Sequence, residues 1–116
     1  MESLRKKSEF TKVYFKGKRL NTKHLTLFVL EDNPIQELKL GIVVKKKLGS
    51  SVKRNRLRRL LKNSFRMIEK KIYKGLAVLA VFRPLDNLDP FSLNVWNIKN
   101  EIKNSLLKAG ILKEQC

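Results

Sequence analysis

The sequence predicts an α+β domain, a two-layer sandwich with elements in the order α-β-β-α-β-α and helices packed on a small central sheet. Three observations lead there. The run from Leu76 to Phe82, LAVLAVF, is apolar throughout, too short for a helix of its own and suited to a central strand buried on both faces. Two β-rich runs, His24 to Leu30 and Leu38 to Lys45, flank the turn signal Glu31-Asp32-Asn33-Pro34. Three further segments carry apolar residues at helical spacing. The length of 116 residues suits one domain, 1–116, with one modest core.

In chain order, residues 1–7 are charged and read as loose. Phe10, Val13 and Tyr14 then fall at i, i+3 and i+4, which predicts a short helix from Ser8 to Lys16 with Ser8 and Gly17 at its ends. Lys18 to Lys23 reads as a basic connector. The first strand places Leu25, Leu27 and Val29 on one face and Thr26, Phe28 and Leu30 on the other. The second turns Leu38, Leu40, Ile42 and Val44 one way, and the two strands are expected to pair antiparallel through the loop at Pro34.

The stretch Lys45 to Arg66 organises the chain. It holds Lys45, Lys46, Lys47, Lys53, Arg54, Arg56, Arg58, Arg59, Lys62 and Arg66, and no Asp or Glu. Like charges this dense oppose compact folding unless counter-charge is supplied, and a polyanion supplies it. The stretch is still no disordered tail. Gly49 breaks what precedes it, and Ser50 or Ser51 can cap the first free amides of a helix. At about 100° per residue, Leu57, Leu60, Leu61, Ser64 and Ile68 share one face, with Phe65 at its edge. Asn55, Arg59, Lys62 and Arg66 stack opposite, with Arg58 beside them. The helix is expected to end near Tyr73-Lys74-Gly75. After the apolar strand and Arg83-Pro84, Asp89 and Pro90 are suited to open a last helix from Phe91 to Ala109. Its stripe is Val95, Ile98, Ile102, Leu106 and Ala109, Trp96 is expected partly buried beside it, and Gly110 stops it.

Composition narrows function. Lys+Arg number 27 against 10 Asp+Glu, a net charge of +17, which points to nucleic acid ahead of an anionic membrane surface. No apolar run approaches the roughly 20 residues of a spanning helix, and MESLRKKSEF has no apolar core behind its charges, so neither a membrane span nor a signal peptide is expected. One cysteine, Cys116, cannot form an internal disulfide, and no zinc spacing exists; a cytoplasmic chain is the economical reading. His24 is the only histidine and reads as structural or surface, and the acids are scattered with no pair spaced for acid–base work or a magnesium cage. Such an inventory binds and positions; it offers no catalytic residue and no metal ligand.

The basic stretch resembles a known signature. Lys46-Lys47-Leu48-Gly49, then Ser51-Val52, then Arg54-Asn55-Arg56 and Arg58-Arg59 match the spacing of the bacterial ribonuclease P protein family. Ser51 stands where that family usually has Ala, and Lys62 where it often has Arg. Both changes keep the charge, though Lys62 loses the fork geometry for phosphate. Phe10 with Val13 and Tyr14, the strand holding Phe28, and the apolar strand ending at Arg83-Pro84 also look like family positions.

The resemblance implies a ribosomal-protein-like α+β fold in which a strand–basic helix–strand unit crosses over left-handed, against the right-handed rule. It further implies a protein subunit that docks on a catalytic RNA and helps it remove the 5′ leader of precursor tRNA. In that case Mg2+ is bound by the partner RNA and no obligatory protein partner is needed. Carried onto this chain, Lys53, Arg54, Asn55, Arg56, Arg58, Arg59, Lys62 and Arg66 would contact the RNA subunit, and Phe10, Tyr14, Phe28, Lys45 and Lys46 would hold the leader. Two other classes share the composition. A ribosomal or ribosome-assembly protein would match in size and charge. A DNA-binding module would need a tight helix-turn-helix, where this chain has a strand and a Gly loop.

Overall fold

A computed structural model describes residues 2–31, 38–69, 75–83 and 92–111. Its elements are β1 (Glu2–Ser3), α1 (Lys7–Lys16), β2 (Lys18–Asn21), β3 (Leu25–Glu31), β4 (Lys39–Val43), α2 (Ser51–Ile68), β5 (Leu76–Phe82) and α3 (Val95–Lys108), with a 3-10 turn at Lys46–Leu48 between β4 and α2. The α+β class and the order of the main elements hold. One sheet runs β1-β4-β5-β3-β2. No helix among the described residues is long and apolar enough to cross a membrane.

The expected antiparallel pairing of the two strands around Pro34 does not occur. β5 lies between them, antiparallel to β3 and parallel to β4. The reason lies in β5 itself. Leu76, Ala77, Val78, Leu79 and Ala80 are all buried, so this strand requires a neighbour on each edge and a layer on each face. The α2 crossover returns the chain parallel to β4, which makes β4–α2–β5 the βαβ unit of the fold. The loop through Pro34 lies outside the described residues.

Two stretches expected outside the sheet, one as a basic connector and one as a loose terminus, are strands. Lys18–Asn21 pairs antiparallel with β3, Lys18 opposite Val29 and Asn21 opposite Thr26. Ladder bonds come from backbone, so a Lys-Arg-Leu-Asn run serves, and charge on an edge strand discourages stray pairing. The hairpin is closed by Thr22, whose N–H donates to the Leu25 carbonyl at 2.8 Å while its hydroxyl oxygen accepts from the Leu25 N–H at 2.9 Å. At the other edge, residues 2–3 pair parallel with β4, and Leu4, the one apolar residue there, is buried and donates its N–H to the Leu40 carbonyl at 3.1 Å.

The main core lies between one sheet face and the helices α2 and α3. Leu25, Leu27, Val29, Leu40, Val78, Ala80 and Phe82 meet Leu57, Leu61, Phe65, Ile98, Ile102 and Leu106. The buried face of α2 is rotated from the predicted one: Phe65 is fully buried and Leu60 only half. The buried Ser64 hydroxyl donates to the Leu60 carbonyl at 2.7 Å and to the Val95 carbonyl at 3.3 Å, tying α2 to α3. On the other sheet face α1 covers a smaller cluster of Leu4, Val13, Phe28, Ala77 and Leu79, with Phe10 partly buried beside it.

Helix ends differ in detail from expectation. α1 is capped two residues earlier than Ser8: the Lys6 N–H donates to Glu9 Oε1 at 3.2 Å. That bond, the largest of several influences, holds the Glu9 carboxyl below its ordinary range, and Lys39 at 3.4 Å lowers it further. α2 starts as expected, Ser50 accepting the Lys53 N–H at 3.4 Å after Gly49 at φ 140°, a conformation that favours glycine. The predicted end of α2 at Tyr73–Lys74 falls outside the described residues, as do Asp89, Pro90 and Phe91, but Ser92 to Asn94 are described and not helical, so the last helix starts at Val95 and not at Phe91. Asn94 caps α3, accepting the Asn97 N–H at 3.0 Å. Trp96 is not partly buried as expected but 60 % exposed, because it lies well round the helix from Ile98 and Ile102.

Candidate nucleic-acid interface

The cap at Ser50 fixes where the cations of α2 point. With Leu57, Leu61 and Phe65 locked into the core, Lys53, Asn55, Arg56, Arg58, Arg59, Lys62 and Arg66 are all exposed and Arg54 is half-buried. Local bonds steady the first turns: Arg58 Nη1 donates to Asn55 Oδ1 at 3.0 Å, and Arg54 Nη2 to Ser51 Oγ at 3.4 Å. The hydrogen-bonded contact of His24 with Glu101 and the ion pair of Lys39 with Glu9 lie off this face.

A cleft of about 570 Å³ runs beside this row. Asn55, Arg58, Arg59, Lys62 and Arg66 form one wall, and Leu4, Phe10 and the β4 segment Leu40–Ile42 form the other. The structure therefore brings Phe10, expected with the other aromatics, onto the cleft of the basic helix. Gly41 makes room for it: a Cβ there would stand 2.7 Å from Phe10 Cε1.

The other aromatics form a second group. Tyr14 and Phe28 have ring centroids 4.8 Å apart. Phe28 shares a cross-strand row with Gly41, Leu79 and Arg19, and is buried to 8 % exposure, whereas Tyr14 is 52 % exposed. Lys45 and Lys46 are exposed and follow β4 in the 3-10 turn region, so they lie off the Phe28 row, toward the end of the sheet where Val43, Val81 and Thr26 align.

Two members of this surface escaped the sequence reading. Phe15 is 75 % exposed and meets Tyr14 edge-to-face at 4.9 Å. Its signal was present: an aromatic off the helix stripe, next to Lys16. Arg19 sits over the Phe28 ring at 5.9 Å. It was hidden because Lys18 to Lys23 carried no strand assignment and so no face. His24 is structural, its Nδ1 2.5 Å from Glu101 Oε2 and its N–H donating to Glu101 Oε1 at 3.0 Å. Among the described residues no three His, Cys, Asp or Glu side chains come together to hold a metal.

The surface is thus cationic and aromatic. Comparison with known proteins agrees. The ribonuclease P family model matches residues 1–110. The chain is 34 % identical over 110 residues to the ribonuclease P protein component of Clostridium acetobutylicum, covering 94 % of this chain and 89 % of the relative. To that of Clostridium kluyveri it is 36 % identical over 112 residues, covering 95 % and 96 %. The fold matches the Staphylococcus aureus RNase P protein with a TM-score of 0.80 at 22 % identity, over 97 % of this chain and 99 % of that one. It matches the Thermotoga maritima RNase P protein with 0.75 at 26 %, over 93 % and 97 %. With the signature on an exposed helix and a family match over nearly the whole chain, the protein belongs to the ribonuclease P protein family, the protein component of a tRNA-processing endonuclease.

Proposed function

We propose that this chain is one RNA-binding domain, 1–116, that works in the cytoplasm by gripping two RNAs at once. On this reading the α2 surface, Lys53 through Arg66, holds phosphates of the ribonuclease P RNA by counterion release and by fork-shaped Arg contacts. The exposed Tyr14, the neighbouring Phe10 and Phe28, and the lysines 45 and 46 hold the single-stranded 5′ leader of precursor tRNA, bases on aromatic faces and phosphates on the ammonium groups. The observation that carries the reading is the cleft in which Phe10 faces Asn55, Arg58, Arg59, Lys62 and Arg66. An RNA bound to the basic wall would pass within reach of the aromatic side, so one small protein can fix a leader relative to a catalytic RNA.

Mg2+ belongs to the partner RNA in this scheme. The chain's own described donors build no cage for it. What the cations do is lower repulsion where two RNA backbones converge, which lets the RNA bind its ions at lower free concentration. No obligatory protein partner is required. The test is cleavage of precursor tRNA by a matched ribonuclease P RNA at low magnesium, with and without this protein. Stimulation of 5′ processing is the expected result. An RNA alone that performs equally well would overturn the reading, as would cleavage by the protein without RNA.

A further inference from the structure

Trp96, Val52 and Met67 are large apolar side chains left exposed on α2 and α3, and the reading above uses none of them. The two helices explain their placement. One flank of α3, with Glu101, Ser105 and Lys108, borders β2. At about 100° per residue the opposite flank carries Trp96, Lys99 and Lys103. On α2, Leu60, Asn63 and Met67 recur at three and four, and Ser64 bonds to Val95, so that flank is turned toward α3. Between α2 and the start of α3 lies a groove of about 650 Å³, lined by Val52, Arg56, Leu60, Asn63, Leu93 and Val95, with Asn55, Arg59 and Asn94; Trp96 follows Val95 in the chain and stands outside this lining. Lys99 Nζ sits 4.9 Å from the Trp96 ring centroid, so a cation is already held at the indole.

We propose that the surface made by this groove and the adjoining exposed indole is a second RNA site, taking unpaired nucleotides with a base stacked on Trp96 and backbone phosphates held by Arg56 in the groove and Lys99 beside the ring. The inference rests on the RNA-binding reading above and extends it to a different face of the helix pair. Three observations select RNA as the occupant. No Asp or Glu is among the described lining residues, so the groove suits an anion. Asn55 and Arg59 line both this groove and the cleft beside Phe10, so one RNA strand can leave the first site and enter the second without crossing a neutral surface. An exposed indole offers a flat π-face, which a nucleobase matches and a carboxylate side chain does not. A second copy of a chain carrying +17 would meet its own repulsion.

The chain has one tryptophan, so its fluorescence reports the indole beside this groove and nothing else. The protein is titrated with a matched ribonuclease P RNA while filter retention follows assembly and acrylamide quenching follows access to Trp96. Assembly should shield Trp96 and change its emission. Trp96→Ala should weaken assembly by about 5- to 140-fold, the range expected for one stacked base, and Trp96→Phe should recover most of the loss. Because Trp96 is largely exposed, the variants should keep the parent circular dichroism spectrum. Full retention with Trp96 still open to acrylamide overturns the groove and leaves the parent reading standing. Absence of retention overturns both. Shielding that appears without RNA as protein concentration rises, or equally with polyglutamate, assigns the groove to protein contacts and also overturns the proposal.

Discussion

Phe10 of α1 lies over Gly41 of β4 so closely that a single methyl on the glycine would stand 2.7 Å from the ring and 2.8 Å from Leu4 Cδ1. Gly41 is thus where helix, edge strand and sheet meet under the cleft. Gly41→Ala should overpack this junction and lower stability by about 1–3 kcal/mol in urea unfolding, while pushing Phe10 toward the basic wall. A midpoint equal to that of the parent would mean that Phe10 and Leu4 swing aside freely.

The basic row makes a prediction specific to phosphate contact. Arg59→Ala and Arg56→Ala should each weaken assembly with the RNA subunit. Each should also reduce the slope of log affinity against log salt by about one, the signature of one lost phosphate contact. Assembly unchanged in both variants at physiological salt would remove α2 from the interface.

The aromatic group separates into a clean probe and a compromised one. Phe28 is buried among Val13, Ala77 and Leu79, so Phe28→Ala should cost about 3–5 kcal/mol of stability and confound any binding result. Tyr14, half exposed against the Phe28 ring, is the better test. Tyr14→Ala should reduce the preference for precursor over mature tRNA by the equivalent of about 1–3 kcal/mol and leave assembly with the RNA subunit intact. Equal losses for both tRNAs would show that Tyr14 serves folding.

These probes follow the divide between what was legible in the sequence and what was not. The course of α2 could be read because one helix carries both a core stripe and a cation row, and Gly49-Ser50 marks its start. The central place of β5 could be read in part, since a strand apolar on both faces must be interior. Its partners could not, because strand order depends on the crossover and not on local pattern. β1 and β2 were invisible, since their pairing uses backbone groups and all their residues but Leu20 are polar or charged. The burial of Phe28 against the exposure of Tyr14 depends on how far α1 reaches across the sheet, and helical spacing alone carries no such distance.

Acid should reveal the α1 cap. The Glu9 carboxyl is held below its ordinary range by the Lys6 N–H and by Lys39, so its ionised form favours the folded state. That contribution is complete above the ordinary carboxylate range and disappears as pH falls through the depressed folded value. Glu9→Gln should therefore melt slightly below the parent at neutral pH, and the difference should close on acidification. A gap independent of pH would assign the loss to helix propensity.

The clasp between Glu101 and His24 is the remaining test, because it joins α3 to the start of β3 on the side away from α2. One carboxylate accepts both the His24 N–H at 3.0 Å and a bond from Nδ1. Glu101→Ala would leave that part-buried N–H without its acceptor, and destabilisation of about 1–3 kcal/mol is expected in urea unfolding. Glu101→Gln, which keeps an oxygen for the N–H, should recover part of it. Neither variant should alter the salt dependence of RNA assembly, since the clasp faces β2 and the cation row does not. A change in that slope for Glu101→Gln would show that α3 and α2 shift together, and that the RNA surface depends on a contact made across the sheet.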